Sequence, residues 1–280
     1  MSLPKEITAN TWVKNWSGNW RTAFASLYFL YTTDLKQYTG KNLDMNLLVC
    51  ERESSSNYLA KEDLDAYGTH VAMRVIKDKG FAEKFAKDTL ASAQRLFELL
   101  NTMKTEEDLT TSNLLELKKR FYAHIPPHFS MKKMIDYLPE DLQKKISPML
   151  IEARLKTENL FNQVDATLRE YTRMIARISG YPETTTEFLT IDEILLFLEH
   201  MMLPSKKELT ERSAGAFLFC KGDACSLFLG ADYHLLQKAL VDSSKTELKG
   251  TIGYRGIAKG KQGSYSILIR SRNSTKGKSS

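Results

Sequence analysis

Apolar residues recur at helical intervals through most of the first 214 residues, and this spacing restricts the chain to a mainly helical fold. One clear pattern runs from Gly80 to Met103, and the longest runs from Pro148 to Ser179. Residues three and four apart share one face of a helix, so these patterns predict amphipathic helices around a common core. A chain of 280 residues, 42% of them apolar, can bury such a core. We therefore predict an α+β protein that is predominantly α-helical.

Capping residues predict where several of these helices begin and end. Thr190 is followed three positions later by Glu193, and Ser205 is followed by Glu208 in the same way. A hydroxyl residue at this distance from a glutamate is typical of a capping box at a helix N-terminus. Gly180 ends the longest pattern, because glycine readily adopts the left-handed conformation that follows a last helical turn. The sequence thus predicts one helix that ends near residue 180 and two that begin after it.

Two prolines predict a break in one helix, and three tryptophans predict an aromatic face near the start of the chain. Pro126 and Pro127 are predicted to break a helix, since proline lacks an amide proton and clashes with the preceding turn. Trp12, Trp16 and Trp20 are spaced by four residues, which predicts one face of a helix or of a turn leading into a helix. We interpret this aromatic stripe as part of the core rather than as a stacking platform for a sugar or a base.

Two shorter segments predict β-hairpins. In the first, the apolar run 47–50 is separated from residues 58–59 by a serine-rich turn. In the second, the runs 217–220 and 225–229 flank a glycine-containing turn, and a short helix over 232–240 follows. The fold prediction is therefore a helical body with small β-hairpin elements.

Cysteine and histidine usage does not indicate a disulfide framework or a metal site. The three cysteines, Cys50, Cys220 and Cys225, are odd in number and widely spaced. We predict no disulfide and interpret Cys220 and Cys225 as small apolar residues of the second hairpin. His124 and His128 are four residues apart, but the sequence offers no third ligand near them. We assign no metal-binding and no cofactor-binding residue.

Charge is distributed unevenly along the chain. Residues 245–280 carry nine basic residues and one acidic residue, so the rest of the chain has a net charge of −2 although the whole chain has +6. The body therefore lacks the positive excess that predicts nucleic-acid binding. The sequence contains no apolar run of eighteen residues and no signal-peptide pattern at its start. We expect a cytoplasmic protein without a membrane partner.

A different pattern begins at Leu248. Gly250, Gly253, Gly256 and Gly260 fall within eleven residues, and an alternating apolar run over 264–269 follows them. Glycine at this density permits tight turns and close backbone approach, and the alternation is typical of a strand. The segment predicts turns that lead into a β-strand.

This segment resembles the opening of the swivelling phosphohistidine domain of the phosphoenolpyruvate-utilising enzymes, the family of phosphoenolpyruvate synthase and pyruvate phosphate dikinase. The residues that fit the family pattern are Leu248, Gly250, Gly256, Ala258 and Gly260, whereas Gly253 stands where the family favours alanine. The looser helical features upstream extend the resemblance over about residues 140–270. It implies a helical domain of residues 1–214, a hairpin-plus-helix module of residues 215–246 and the truncated start of the mobile domain in residues 247–280.

The resemblance implies a structural role for the five signature residues and no catalytic residue in this sequence. In the family, a histidine in a Gly-rich Ser-His segment carries the phosphoryl group, and that segment has no counterpart here. His70, in Gly68-Thr69-His70, looks similar but precedes the glycine cluster and lies within a helical pattern. We therefore expect a phosphotransferase-related protein that is inactive alone, with phosphoenolpyruvate or ATP as ligands only of a longer relative.

Two other functions remain open from the sequence. The first is a non-catalytic helical interaction or scaffold module, which could form a homodimer through the exposed strand at residues 264–269. The second is electrostatic binding of nucleic acid by the basic tail, residues 270–280. A polar terminus without a partner is the interpretation that we favour for the tail.

Overall fold

The structure is a computed structural model that describes residues 3–27, 30–51, 53–78 and 80–243. The five residues of the family signature, from Leu248 to Gly260, lie outside the described residues, and so does the basic tail. The predicted α+β fold with a predominance of helix is confirmed for the described residues.

Five strands and thirteen α-helices follow one another in this part of the chain. The strands are β1 (Trp12–Gly18), β2 (Met45–Cys50), β3 (Ser55–Ala60), β4 (Ala216–Lys221) and β5 (Ala224–Leu229). The helices are α1 (Lys5–Ala9), α2 (Thr22–Ala25), α3 (Leu30–Thr33), α4 (Leu35–Thr39), α5 (Lys61–Lys77), α6 (Gly80–Thr102), α7 (Thr111–Met134), α8 (Glu140–Thr157), α9 (Leu160–Ser179), α10 (Glu183–Thr186), α11 (Ile191–His200), α12 (Lys206–Ala214) and α13 (Ala231–Ser243).

The five strands form one antiparallel sheet in the order β1-β3-β2-β4-β5. Both predicted hairpins are confirmed, as β2–β3 and β4–β5. They are joined, however, because β4 pairs with β2 from Met45 opposite Lys221 to Cys50 opposite Ala216. The second hairpin therefore completes the sheet that the first begins, so strand pairing continues across the predicted boundary after residue 214.

The two faces of the sheet pack against different elements. On one face, α1 and α13 cover a small apolar cluster that includes Ile7, Leu47, Phe217 and Leu236. The main core lies among the longer helices α5 to α9, and its fully buried aromatic residues include Tyr67, Phe85, Phe121 and Tyr171. The sheet therefore lies between a thin helical cover and the larger helical body.

Two of the three tryptophans lie on a strand and not on a helix, and Trp20 lies between that strand and α2. Trp12 and Trp16 belong to β1, which pairs with β3, and the register shifts between Lys14 and Trp16. Side chains alternate along a strand, so the extra residue, Asn15, turns the following residues to the opposite face. Trp12 consequently packs in the small cluster and Trp16 against the main core. The predicted helix was wrong because a spacing of four fits an alternating strand as well as a helical turn.

Helix α7 continues through Pro126 and Pro127, so the predicted break is wrong. Both prolines are buried within the helix, which extends from Thr111 to Met134. A proline inside a helix removes one backbone hydrogen bond and costs about 3 kcal/mol. Burial of neighbours such as Ile125, Phe129 and Met131 in the main core offsets this cost.

The pattern predicted as one helix over 148–179 contains two helices. Pro148 lies in the middle of α8 instead of in a first turn, and α9 begins at Leu160. The end at Gly180 is confirmed, with a φ of 68°. The capping box at the start of α11 is confirmed as well, because the Thr190 amide donates to Glu193 Oε2 at 2.9 Å and the Glu193 amide donates to Thr190 Oγ1.

Cys220 and Cys225 form a disulfide, which corrects the prediction of three free thiols. The two residues lie directly opposite each other on β4 and β5, with their Cα atoms 4.1 Å apart. A five-residue separation that looks unremarkable in the sequence becomes a cross-strand pair once the hairpin forms. Cys50 is buried with a free thiol, and burial raises the pKa of that thiol.

Candidate functional site

A cavity of about 240 Å³ lies where β1 meets α7 and the junction between α8 and α9. Its walls are largely aromatic and are formed by Trp16, Trp20, Tyr31, Phe129 and Phe161. Its polar groups come from separate elements and are Asn15, Ser17, His128, Lys132, Arg154 and Glu158. An apolar cavity in which a few polar groups converge is the usual form of a small-molecule site.

The irregularity in β1 positions the first polar side chain. Asn15 is the extra residue at the register shift and is 8% exposed. Its Nδ2 donates to Asn57 Oδ1 at 2.8 Å, and Asn57 Nδ2 donates to Asn46 Oδ1 and to the Leu47 carbonyl oxygen. These three asparagines form a chain of hydrogen bonds from β1 across β3 to β2. Such bulges commonly redirect a side chain towards a site.

The backbone fixes the orientation of the asparagine chain. The Leu47 carbonyl can only accept, so the Asn57 group that lies 2.9 Å from it is the amide nitrogen. Asn57 Oδ1 consequently faces Asn15, and Asn15 must present its own amide nitrogen to it. Asn15 Oδ1 is therefore the atom left over, and this buried oxygen has no hydrogen-bond partner among the described residues. Unpartnered buried acceptors are rare in folded proteins.

Two cations and one carboxylate contribute charge to the cavity. Lys132 Nζ donates to the Asn15 carbonyl oxygen at 3.1 Å, and its neighbouring carboxylate, Glu158, forms an ion pair with Arg154 instead. Arg154 lies 3.4 Å from Glu158 through Nη2 and Oε1. Burial, followed by the nearby Arg154 guanidinium, lowers the pKa of Lys132, and the Glu158 carboxylate partly opposes this shift. The three side chains have a formal net charge of +1, and Lys132 is the cation that lies outside the Arg154–Glu158 ion pair.

His128 brings a neutral imidazole to the same cavity. Burial, followed by the neighbouring His124 and Lys132, lowers the pKa of His128 well below its usual value. Its Nδ1 is buried and has no hydrogen-bond partner in the described part of the chain. The ring packs against Phe161 with a centroid distance of 5.1 Å. His128 is therefore held in place by ring contacts while one ring nitrogen remains available.

His124 lies deeper than His128 and does not line the cavity. Its Nδ1 lies 2.9 Å from Ser92 Oγ, and burial lowers the pKa of His124 to about 4. The two rings are 5.2 Å apart between centroids. No group of three or more metal-ligating side chains occurs among the residues that the structure describes. The pair is an aromatic contact between neutral rings in this structure.

The aromatic walls are joined by ring contacts and hydrogen bonds. Trp16 and Trp20 meet edge to face with centroids 6.4 Å apart, and Trp20 lies 6.1 Å from Phe161. Trp16 Nε1 donates to the Tyr31 hydroxyl at 3.3 Å, and Trp20 Nε1 donates to Asn162 Oδ1 at 2.5 Å. The indole N–H groups are thus satisfied, so the tryptophans present apolar surface to the cavity.

A larger depression of about 510 Å³ lies beside α11, α12 and the β4–β5 hairpin. Its buried cation is Arg212, which contacts Glu193 at 2.7 Å and Glu208 at 2.5 Å. The two carboxylates neutralise the guanidinium, so this depression lacks an uncompensated positive charge of the kind that Lys132 gives the smaller cavity.

The look-alike segment at His70 has a structural role. His70 Nε2 lies 2.9 Å from the Thr39 carbonyl oxygen, to which Arg74 also donates. Gly68 is closely packed, because a Cβ atom there would lie 2.1 Å from Tyr137 Cε2. Neither residue lines the cavity. The segment therefore orders the contact between α4 and α5, as its helical pattern predicts.

Sequence reasoning missed the cavity, although one signal was available. His124, His128 and Lys132 recur every four residues along α7 and form a polar stripe on its second half, which is otherwise mostly buried. Arg154 and Glu158 are four residues apart, which is the spacing of an ion pair on a helix, and their contact does not by itself reveal the cavity. Asn15 gave no signal, because its position depends on the register of β1.

The chain matches no protein-family model, no curated protein and no solved structure. The resemblance to phosphoenolpyruvate-utilising enzymes therefore stays a prediction. In the described part of the chain, no helix combines the length and the apolar character needed to cross a membrane.

Proposed function

We propose that the body of this protein binds a small molecule with a phosphate or carboxylate group in the cavity between β1, α7 and α8. The observation that carries the proposal is Lys132, a half-buried ammonium group inside the cavity whose neighbouring carboxylate, Glu158, forms its ion pair with Arg154 instead. Removing an ammonium group from water is costly, and an anion beside it recovers much of that cost.

The neighbours of Lys132 favour an anion of modest size. Arg154 adds a planar guanidinium that suits phosphate and carboxylate oxygens, and Glu158 reduces the formal charge to +1. The cavity volume of about 240 Å³ fits a molecule of a few to about ten heavy atoms. The aromatic walls beside the half-buried Lys132 limit its contact with water, which strengthens the attraction at that ammonium group.

The family resemblance suggests what such a ligand does. We propose that the chain is related to the phosphoenolpyruvate-utilising phosphotransferases and that its body holds a phosphate-bearing ligand without transferring the phosphoryl group. The signature that supports this relation lies in residues 248–260, outside the described residues. Incubation of the chain with labelled phosphoenolpyruvate or ATP should leave it unlabelled, and a stable phosphohistidine would contradict this part of the proposal.

Calorimetric titration with inorganic phosphate, phosphoenolpyruvate and pyruvate tests anion binding. We expect at least one of them to bind, and we expect Lys132→Met to weaken that binding by about tenfold or more. Lys133→Met is the matched control, because Lys133 is the next residue of α7 and does not line the cavity. Its affinity should stay within about threefold of the unmodified chain.

Failure of all three anions to bind would contradict the proposal and favour the alternative of a non-catalytic interaction module. Equal losses of anion affinity in the Lys132 and Lys133 variants would contradict the assignment of anion binding to this cavity. Fluorescence of Trp16 and Trp20 gives a second readout, since both residues lie in the cavity wall.

A further inference from the structure

Two buried polar atoms of the cavity residues lack a hydrogen-bond partner among the described residues, namely Asn15 Oδ1 and His128 Nδ1. Asn15 Oδ1 is an acceptor, and a phosphate or carboxylate oxygen, which also accepts, cannot satisfy it. His128 Nδ1 accepts in the tautomer that carries its proton on Nε2. Asn15 Oδ1, and His128 Nδ1 in that tautomer, therefore require a hydrogen-bond donor.

The acceptor character of Asn15 follows from the backbone. The Leu47 carbonyl fixes the orientation of the Asn57 side-chain amide. Asn57 in turn fixes the orientation of the Asn15 side-chain amide, which leaves Asn15 Oδ1 unpaired. Reversing Asn15 would place two carbonyl oxygens against each other at 2.8 Å. The orientation is thus determined by a chain of contacts that ends on the main chain.

His128 supplies an acceptor for a different reason. A neutral imidazole carries one proton on its two nitrogens, so Nδ1 of His128 accepts when the proton is on Nε2. Burial, the neighbouring His124 and the Lys132 ammonium oppose a second proton on the ring. In this tautomer the cavity offers an acceptor on α7 and another on β1, with the cation Lys132 in direct contact with the main chain of Asn15.

We infer that the ligand of this cavity is a hydroxylated anion, in which hydroxyl groups donate to Asn15 Oδ1 and His128 while Lys132 and Arg154 hold a phosphate or carboxylate group. This inference rests on the proposed function and narrows its ligand class to hydroxy acids and phosphorylated polyols. A hydroxyl group is the smallest donor that satisfies these acceptors and adds no charge beside two cations. An amine would add a positive charge next to Lys132 and is disfavoured.

Matched ligand pairs test the inference on the unmodified chain. Glycerol 3-phosphate and propyl phosphate share an anionic group and differ in their hydroxyls, and lactate and propionate form the corresponding carboxylate pair. We expect the hydroxylated member of at least one pair to bind about tenfold or more tightly than its partner, because a ligand without hydroxyl groups leaves the buried acceptors unpaired. Equal affinities within both pairs would overturn the inference while leaving the proposed anion site intact. Binding of none of the four would overturn the inference, and it would overturn the proposed anion site as well if phosphate, phosphoenolpyruvate and pyruvate also fail to bind.

A variant assigns the preference to His128. His128→Phe keeps an aromatic ring against Phe161 and removes the acceptor nitrogen. We expect the preference for glycerol 3-phosphate over propyl phosphate to fall to about threefold or less, with the affinity for propyl phosphate largely retained. His128→Gln, which restores an acceptor, should recover part of the preference. An unchanged preference in His128→Phe would overturn the role of His128. If this variant does not fold, the matched ligand pairs measured on the unmodified chain still test the inference.

Discussion

His124 and His128 lie one turn apart on α7, with ring centroids 5.2 Å apart, and both rings contact Phe161. Burial lowers the pKa of each, to about 4 for His124. The contact couples them, because a proton on one ring opposes a proton on the other. The imidazole that lines the cavity, His128, is thus uncharged above the pH at which either ring is protonated.

This pairing predicts a loss of stability in mild acid. The folded pKa of His124 is about 4, whereas the unfolded value is near 6.5, so the unfolded chain binds the extra proton between these values. Stability is fully present above about pH 6.5 and falls as the pH drops towards 4. His124 alone should lower the free energy of unfolding by roughly 2 kcal/mol between pH 7 and pH 5. Urea denaturation at the two pH values measures this loss.

Substitution separates the His124 contribution from other acid effects. His124→Gln should reduce the loss in the free energy of unfolding between pH 7 and pH 5, because glutamine does not titrate. His200→Gln is the control, since the His200 side chain is 61% exposed and lies at the end of α11. Identical pH dependence in His124→Gln and the unmodified chain would contradict the assignment.

Arg212 is expected to be a main stabilising residue of the α11–α12 region. It is 7% exposed, and its guanidinium contacts Glu193, Glu208 and the Phe188 carbonyl oxygen. Arg212→Met should lower the free energy of unfolding by about 3 kcal/mol, because it leaves two neighbouring carboxylates without their cation. Arg177→Met removes the exposed pair with Glu106 and should cost less than about 0.5 kcal/mol. Chemical denaturation of both variants measures the two losses in the free energy of unfolding. Equal losses would contradict the stabilising role of Arg212.

Gly68 should not tolerate alanine, although alanine favours a helix. The added Cβ would lie 2.1 Å from the ring of Tyr137, whose hydroxyl donates to Asp65 Oδ1 at 2.7 Å. The anchored ring cannot move freely, so Gly68→Ala should destabilise the protein by roughly 2 kcal/mol. Gly80→Ala, where the nearest atom is a side-chain oxygen of Asp78 at 3.3 Å, is the control and should change stability by less than about 1 kcal/mol. A stabilising effect of Gly68→Ala in thermal denaturation would show that the packing is looser than described.

The disulfide predicts the number of reactive thiols. Unfolded protein kept without reductant should show one thiol, that of Cys50, and reduced protein should show all three. Reduction should also raise the mass by about 2 Da and lower stability by about 2 kcal/mol, since the bridge closes a short loop. Cys50→Ala should give no thiol before reduction. Three thiols in the unreduced chain would contradict the bridge between β4 and β5.

Local signals in the sequence predicted most of the helical body correctly. The capping box at Thr190 and Glu193 and the left-handed Gly180 depend on residues within one turn of the chain. Both hairpins were also predictable, because their strands are close in sequence. The errors at Pro126 and at Trp12 have a common origin, since in each case burial or strand pairing overrode a local preference.

The candidate site depends on contacts that no local pattern contains. Asn15 lies 117 positions before Lys132, whose ammonium contacts its main chain, and the orientation of its side chain is fixed through β3 by the Leu47 carbonyl. A shift of one residue in β1 turns its side chains to the other face of the sheet. The sequence by itself determined the helices, their caps and the hairpins, because those features arise from neighbouring residues. Only the tertiary structure decided that His128, Lys132 and Asn15 share one cavity, because strand register and helix packing bring distant segments together.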